Sequence, residues 1–247
     1  MKYIKILIIV FILPFSLSAK DYNASLFGVK SDGLTLNTRS IQKGIDFISE
    51  NGGGRLVFYV GRYLTGSVKL KSNVTIKLEE GAVLVGSPSI YDYNSSGSIK
   101  AIISADGQEN IGISGKGVIE GRGALLLKNM NDLNVNGFLL DSLTKQPALL
   151  GFSNCTAVQI DSVNMTDAAG AVQVFDKCNN LTLATVAIKS KSNPDAAGVI
   201  LIDSKNIKLI NNYIEVGGKA LQWTGDTKEL MIEKTIDNKG NIITLQQ

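Results

Sequence analysis

Asn180-Leu181-Thr182-Leu183, Val186-Ala187-Ile188 and Val199-Ile200-Leu201-Ile202 follow one another closely, and Asn206-Ile207-Lys208-Leu209 restarts the series. Apolar residues alternate within each segment, and a period of two marks half-buried strands. Gly, Asn and Asp punctuate the segments too often for helices. Three such strands per repeat make one coil of a parallel β-helix, with successive coils stacked roughly 4.8 Å apart.

The opening pattern, a polar residue followed by apolar, any, apolar, recurs along the chain. It reads Asn73-Val74-Thr75-Ile76, Asn110-Ile111-Gly112-Ile113, Asp132-Leu133-Asn134-Val135, Ala157-Val158-Gln159-Ile160 and Glu229-Leu230-Met231-Ile232, besides the two copies quoted above. Five of the six steps between first apolar positions are 22 to 26 residues. This predicts about seven signature-bearing coils. A leucine-rich repeat has a similar period but needs a Leu-x-x-Leu-x-Leu frame, which is missing. The long step from Val74 to Ile111 predicts an excursion near Ser87 to Ser98, whose tyrosines, Tyr91 and Tyr93, either line a sugar groove or pack the loop down.

One stretch departs from the pattern. Ile41, Ile45 and Ile48 fall at i, i+4 and i+7 after the candidate N-cap Asn37, and Gly52-Gly53-Gly54 stops the run. This predicts an amphipathic helix covering the otherwise open first coil. Cys155 and Cys178 each stand three residues before the first apolar position of their coils, so they should stack as buried thiols or pair as a disulfide. Asp203 and Asp226 hold matching positions four before theirs, either as a stacked carboxylate pair or as turn residues satisfying backbone groups.

Lys2 and Lys5, the apolar run Ile6 to Phe15 and Ser16-Leu17-Ser18-Ala19 read as an export signal over residues 1–19, leaving a β-helix domain over 20–247. The apolar run is half the length of a membrane span, so a secreted or periplasmic protein with no membrane partner is expected. Without the leader, 23 basic residues face 22 acidic ones, and no basic stripe suggests nucleic acid. The chain contains no histidine and only two cysteines. An imidazole base and a cysteine zinc site are therefore excluded, and neither metal nor cofactor is expected.

Several stretches resemble glycoside hydrolase family 28, the polygalacturonases, within the pectin lyase-like β-helices. They are Phe27-Gly28-Val29-Lys30-Ser31-Asp32-Gly33, Gly52-Gly53-Gly54-Arg55-Leu56-Val57-Phe58, Gly61-Arg62-Tyr63-Leu64-Thr65-Gly66-Ser67, Leu78-Glu79-Glu80-Gly81-Ala82-Val83-Leu84, Gly115-Lys116-Gly117-Val118-Ile119-Glu120-Gly121-Arg122-Gly123, and Pro147 to Val158. The resemblance spans roughly residues 21 to 225 and implies an all-β, single-stranded right-handed parallel β-helix with an N-terminal capping helix. Pectin-cleaving lyases share the opening segment, but a lyase would need clustered acidic calcium ligands, and none is evident.

By resemblance, the activity is inverting hydrolysis of α-linked galacturonic acid polymers. That reaction uses an acid and a base about 6.5 to 9.5 Å apart. The family draws its groups from an Asn-x-Asp segment, an Asp-Asp pair one coil later, a Gly-His-Gly and an Arg-x-Lys. Asn193-Pro194-Asp195 matches the first, with Ala196-Ala197 inserted before Gly198. Gly218-Lys219 stands where the aspartate pair is expected, and the histidine and Arg-x-Lys are absent. Asp195 is thus the catalytic candidate and Asn193, Lys219 and Trp223 the substrate-binding candidates. Lys219 either meets a sugar carboxylate or is simply solvated; Trp223 either stacks on a sugar or packs against the coil.

The chain therefore reads as a degenerate member, short at its C-terminal end, whose partner is a poly- or oligosaccharide, pectic galacturonides foremost. The alternatives are a non-catalytic carbohydrate binder and a structural β-helix. The latter would self-associate through the strand-like end Ile242-Ile243-Thr244-Leu245.

Overall fold

The computed structural model describes residues 19–93 and 99–244. Of the expected export signal, residues 1–18 lie outside the described residues. The alternating segments form three parallel sheets that the chain visits in turn. Sheet A holds Asp21–Asn23, Gly54–Phe58, Val74–Leu78, Glu109–Ser114, Thr156–Asp161, Asn179–Ala184, Lys205–Ile210 and Lys228–Glu233. Sheet B holds Gly61–Thr65, Ala82–Gly86, Val118–Glu120, Asn164–Thr166, Ala187–Ser190, Tyr213–Val216 and Ile236–Asp237. Sheet C holds Val68–Lys69, Ala101–Asp106, Ala148–Ser153, Gln173–Asp176, Val199–Ile202 and Leu221–Thr224. This is the expected right-handed parallel β-helix.

Period-two alternation fills the coil interior. In sheet A the stacked positions Leu56, Ile76, Ile113, Ile160, Leu183 and Leu209 are all buried. In sheet C, Phe152 and Phe175 stack edge to face with ring centroids 5.8 Å apart. Cys155, Cys178, Ser204 and Thr227 make a column of small polar side chains at one corner. Both thiols are free and buried, and the Cys178 sulfur lies 3.5 Å from the Phe152 carbonyl oxygen. Hydrogen bonding to Cys155, together with burial, pushes the Cys178 thiol up, so it stays protonated.

The corners explain the polar residue of the repeat. Asn73, Asn110, Ala157, Asn180, Asn206 and Glu229 all have φ between 52° and 64°, the left-handed region. Asn tolerates that conformation better than most L-residues, because its short amide hydrogen-bonds locally. A second left-handed column, Asn154, Lys177 and Asp203, turns the chain from sheet C into sheet A. At that turn the Asp203 carboxylate accepts the Asp226 N–H at 2.7 Å. The backbone-satisfying reading of this pair holds. Asp203 stacks on Gly225 rather than Asp226, because the last turn carries an extra residue.

Helix α1, Thr38–Glu50, covers the first coil with Ile41, Ile45 and Ile48 buried. Asn37 occupies the N-cap position, but its side chain does not cap. Its Oδ1 accepts the Lys30 N–H at 2.7 Å, and its Nδ2 donates to the Lys30 and Thr35 carbonyls at 2.9 Å. It thereby ties the preceding loop to the helix start.

One expected coil is absent. Asp132-Leu133-Asn134-Val135 ends helix α2, Gly123–Val135, and the strand Glu109–Ser114 pairs directly with Thr156–Asp161. Leu126, Met130 and Leu133 fall at i, i+4 and i+7 and pack on the core, so helical periodicity overrides the four-residue likeness. Asp167 anchors the helix start: its carbonyl accepts the Gly123 N–H and its carboxylate the Ala124 N–H at 3.2 Å.

The excursion after Gly86 is present, with a 3₁₀ turn at Ile90–Asp92; residues 94–98 lie outside the described residues. Tyr93 is buried and its hydroxyl donates to the Ser87 carbonyl at 2.7 Å. At the other end, Ile242 bridges antiparallel to Ile236 and Ile243 packs on the core, so this segment folds back over the last coil. Leu245 lies outside the described residues. Lys228–Glu233 is the free edge of sheet A.

Candidate functional site

The connections from sheet B to sheet C carry the chemistry-bearing candidates on one edge of the helix. Residues 191–198 form one such connection and residues 217–220 the next. In-register pairing of Val199 with Leu221 sets Gly218 over Ala196 and Lys219 over Ala197. The Gly218 N–H donates to the Ala196 carbonyl at 3.1 Å, and the Gly198 N–H to the Lys219 carbonyl at 3.0 Å.

Asn193 shapes its loop with both ends of its amide. Its Nδ2 donates to the Ala169 carbonyl one coil back at 2.7 Å, and its Oδ1 accepts the Asp195 N–H at 3.0 Å. Ala196 and Ala197 tuck inward and are buried. Asp195 is left exposed at the turn, and its carboxylate makes no hydrogen bond or ion pair with another described residue. Lys219 is exposed one coil further on.

No second carboxylate meets Asp195 from the next coil. A Cβ on Gly217 would lie 2.6 Å from the Pro194 Cα, and one on Gly218 2.8 Å from the Asp195 carbonyl oxygen. The two connections are pressed together so tightly that only glycine fits. Glu215, the acid nearest the two glycines in sequence, is committed on sheet B. Lys191 lies 2.5 Å from its Oε1, and the Tyr213 hydroxyl donates to Oε2 at 3.0 Å. These contacts, Lys191 first, hold the Glu215 carboxyl below its usual range, which makes it a poor proton donor.

Trp223 packs against the core. It stacks in register on Leu201, which stacks on Phe175 and Phe152, so its half-buried ring extends an inward column. The parity of Leu221 and Trp223 carries this signal in the sequence. The excursion's tyrosines divide between the two expected roles: Tyr93 packs down, and Tyr91 borders a groove further along the same edge, whose other wall, α2, the sequence reading missed. This groove, of about 400 Å³, runs between the 3₁₀ turn and α2, lined by Ile90, Tyr91, Leu133 and Phe138 among others. The Tyr91 hydroxyl donates to the Phe138 carbonyl at 3.0 Å, which closes one side of it. Among the described residues no group of three His, Cys, Asp or Glu side chains is placed to hold a metal, and no helix is long and apolar enough to cross a membrane.

Comparison with known proteins gives a consistent picture. The model of glycosyl hydrolases family 28 matches residues 23–240. An exo-poly-α-D-galacturonosidase of Dickeya chrysanthemi is 28% identical over 259 residues, covering 90% of this chain and 41% of that protein. A protein assigned as a glycosyl hydrolase from Parabacteroides merdae is 42% identical with a TM-score of 0.85, and the match covers 92% of this chain and all of that one. The family 28 exopolygalacturonase of Yersinia enterocolitica shares the fold at 23% identity and a TM-score of 0.76, over 84% of this chain and 45% of that one. The chain thus spans less than half the length of the Dickeya and Yersinia proteins and the full length of the Parabacteroides one.

Proposed function

The chain belongs to family 28 of the glycosyl hydrolases, and from that premise we propose an exported β-helix protein of pectic polysaccharide metabolism that binds galacturonide chains without hydrolysing them. The observation that carries this reading is the close contact of Gly217 and Gly218 with the Asn193–Asp195 turn. Inverting hydrolysis needs two carboxyl groups with room for a water between them. Here one carboxylate stands alone, and on the neighbouring coil Gly217 and Gly218 have no space for a side chain while the exposed position carries Lys219.

What the edge offers instead is recognition. Lys219 supplies an exposed ammonium for a uronate carboxylate, and Asp195 accepts hydrogen bonds from sugar hydroxyls. Asn193 holds the turn that presents Asp195. The leader-like residues 1–19 support a secreted or periplasmic location, with residues 20–247 as the β-helix domain. A mature charge near zero suits a saccharide partner better than nucleic acid. The exposed edge Lys228–Glu233 is a surface for self-association; light scattering that stays monomeric across concentrations counts against that use.

The second reading is hydrolysis through Asp195, favoured by the exposure of that carboxylate, which has no partner among the described residues, and by the activity named for the Dickeya relative. The test is incubation with polygalacturonate and pectic oligosaccharides, following both reducing ends and the absorbance of unsaturated products. Binding with neither signal supports the first reading. Reducing ends that appear with the native protein and disappear in Asp195→Asn overturn it.

A further inference from the structure

The left-handed column on the outer face of sheet A is also a ladder of amides, and it is broken at one rung. Asn110 Nδ2 donates to Asn73 Oδ1 at 2.9 Å, and Asn206 Nδ2 donates to Asn180 Oδ1. Between the two pairs stands Ala157, with φ 55°. An alanine gains nothing from the left-handed region, whereas an asparagine there would join the ladder and relax the backbone. Where local preference and stacking agree on one residue and the chain carries another, a functional cause is the physical expectation.

The break leaves chemistry facing a gap. Asn110 keeps its Oδ1 and Asn180 its Nδ2, an acceptor and a donor two coils apart, about 10 Å by strand spacing. Neither atom has a hydrogen-bond partner among the described residues. Ala157 lies between them, Gly112 leaves the adjoining position without a side chain, and the groove that results has a volume of about 550 Å³. Thr75, Gln159, Thr182 and the Asp161 carboxylate add further polar groups to its walls, and Arg55, whose Nε pairs with Asp21 and whose terminal nitrogens remain, stands at one end. No aromatic side chain lines it. This lining suits a hydroxyl-rich ligand, and the guanidinium at its end suits one that carries a carboxylate.

We propose that sheet A carries a second saccharide groove, in which a galacturonide unit bridges Asn110 and Asn180 across Ala157 with its carboxylate toward Arg55. The proposal rests on the reading that this protein engages galacturonides, but it concerns a different face from Asp195 and Lys219. Two faces that grip separate stretches of one polymer hold it more tightly than either alone.

The test is an NMR titration of the ¹⁵N-labelled protein with tetragalacturonate, alongside Ala157→Asn and Gln159→Ala. Saturable shifts of the Gly112, Gln159 and Thr182 amides are expected in the native chain. Ala157→Asn should fill the gap, weaken those shifts at least tenfold, raise the melting temperature and leave the Asp195 and Lys219 signals responding. Gln159→Ala, at an exposed position, should weaken sheet A binding severalfold without unfolding the protein. The proposal is overturned if the sheet A amides stay still while Asp195 and Lys219 shift, a result that leaves the functional reading standing. Sheet A shifts that persist in Ala157→Asn overturn it as well. If neither face responds, the functional reading fails and takes the groove's galacturonide assignment with it.

Discussion

Asp32 lies in the loop before α1, where its carboxylate accepts the Thr35 N–H at 2.8 Å, the Thr35 hydroxyl at 2.7 Å and the Leu34 N–H at 2.9 Å. The Thr35 bonds are the leading cause that brings its pKa from 3.8 down to about 2. A depressed folded-state value means that the turn's contribution is complete above the ordinary pKa and is lost as pH falls through about 2. An NMR titration should therefore place the Asp32 midpoint near pH 2, with Thr35→Val moving it up towards 3.8. Ala157 offers a second test at this scale, independent of any ligand. An L-residue in the left-handed region costs about 1–2 kcal/mol, and Asn bears it more easily. Ala157→Asn should stabilise the fold by about 1 kcal/mol, seen as a melting temperature higher by about 2–4 °C. The recurring Asn was visible in the sequence, but not the conformation that demands it, because a polar residue opening a strand also reads as an ordinary turn. Ala157 was visible too, as the copy of the signature that lacks a polar residue.

At the scale of elements, α1 was legible because three isoleucines repeat a helical spacing over two turns and a glycine run stops it. Its side chains seal the first coil, so truncating one opens a cavity that neither partner can close. Ile45→Ala should cost about 2–5 kcal/mol in urea unfolding, with α1 signals lost no later than those of the sheets. Helix α2 was misread for a physical reason. Four residues of Asp-Leu-Asn-Val satisfy a strand and a helix equally well, and only the longer run Leu126, Met130, Leu133 separates the two. The anchoring of α2 by Asp167 comes from the next coil, 32 to 35 positions ahead of the segment that was misread. Trp223 shows the opposite case. Its parity with Leu221 already pointed inward, and the stack on Leu201 is what that parity predicts.

Across the whole molecule, the family's architecture was readable, because motif spacing survives even where individual residues change. The steric closure of two positions against the Asn193–Asp195 turn was not readable. Gly217 and Gly218 are ordinary loop residues in sequence, and only the stacking of two coils shows backbone atoms 2.6 to 2.8 Å from where their Cβ atoms would stand. Binding without hydrolysis is the reading proposed from this contact, and it yields to one direct measurement. Native mass spectrometry of the protein held with tetragalacturonate in ¹⁸O-labelled water reports binding and bond cleavage in the same sample. The account predicts a complex whose bound saccharide keeps the mass of the intact tetramer after prolonged incubation. Shorter galacturonides carrying ¹⁸O, formed by the native chain and not by Asp195→Asn, would contradict it.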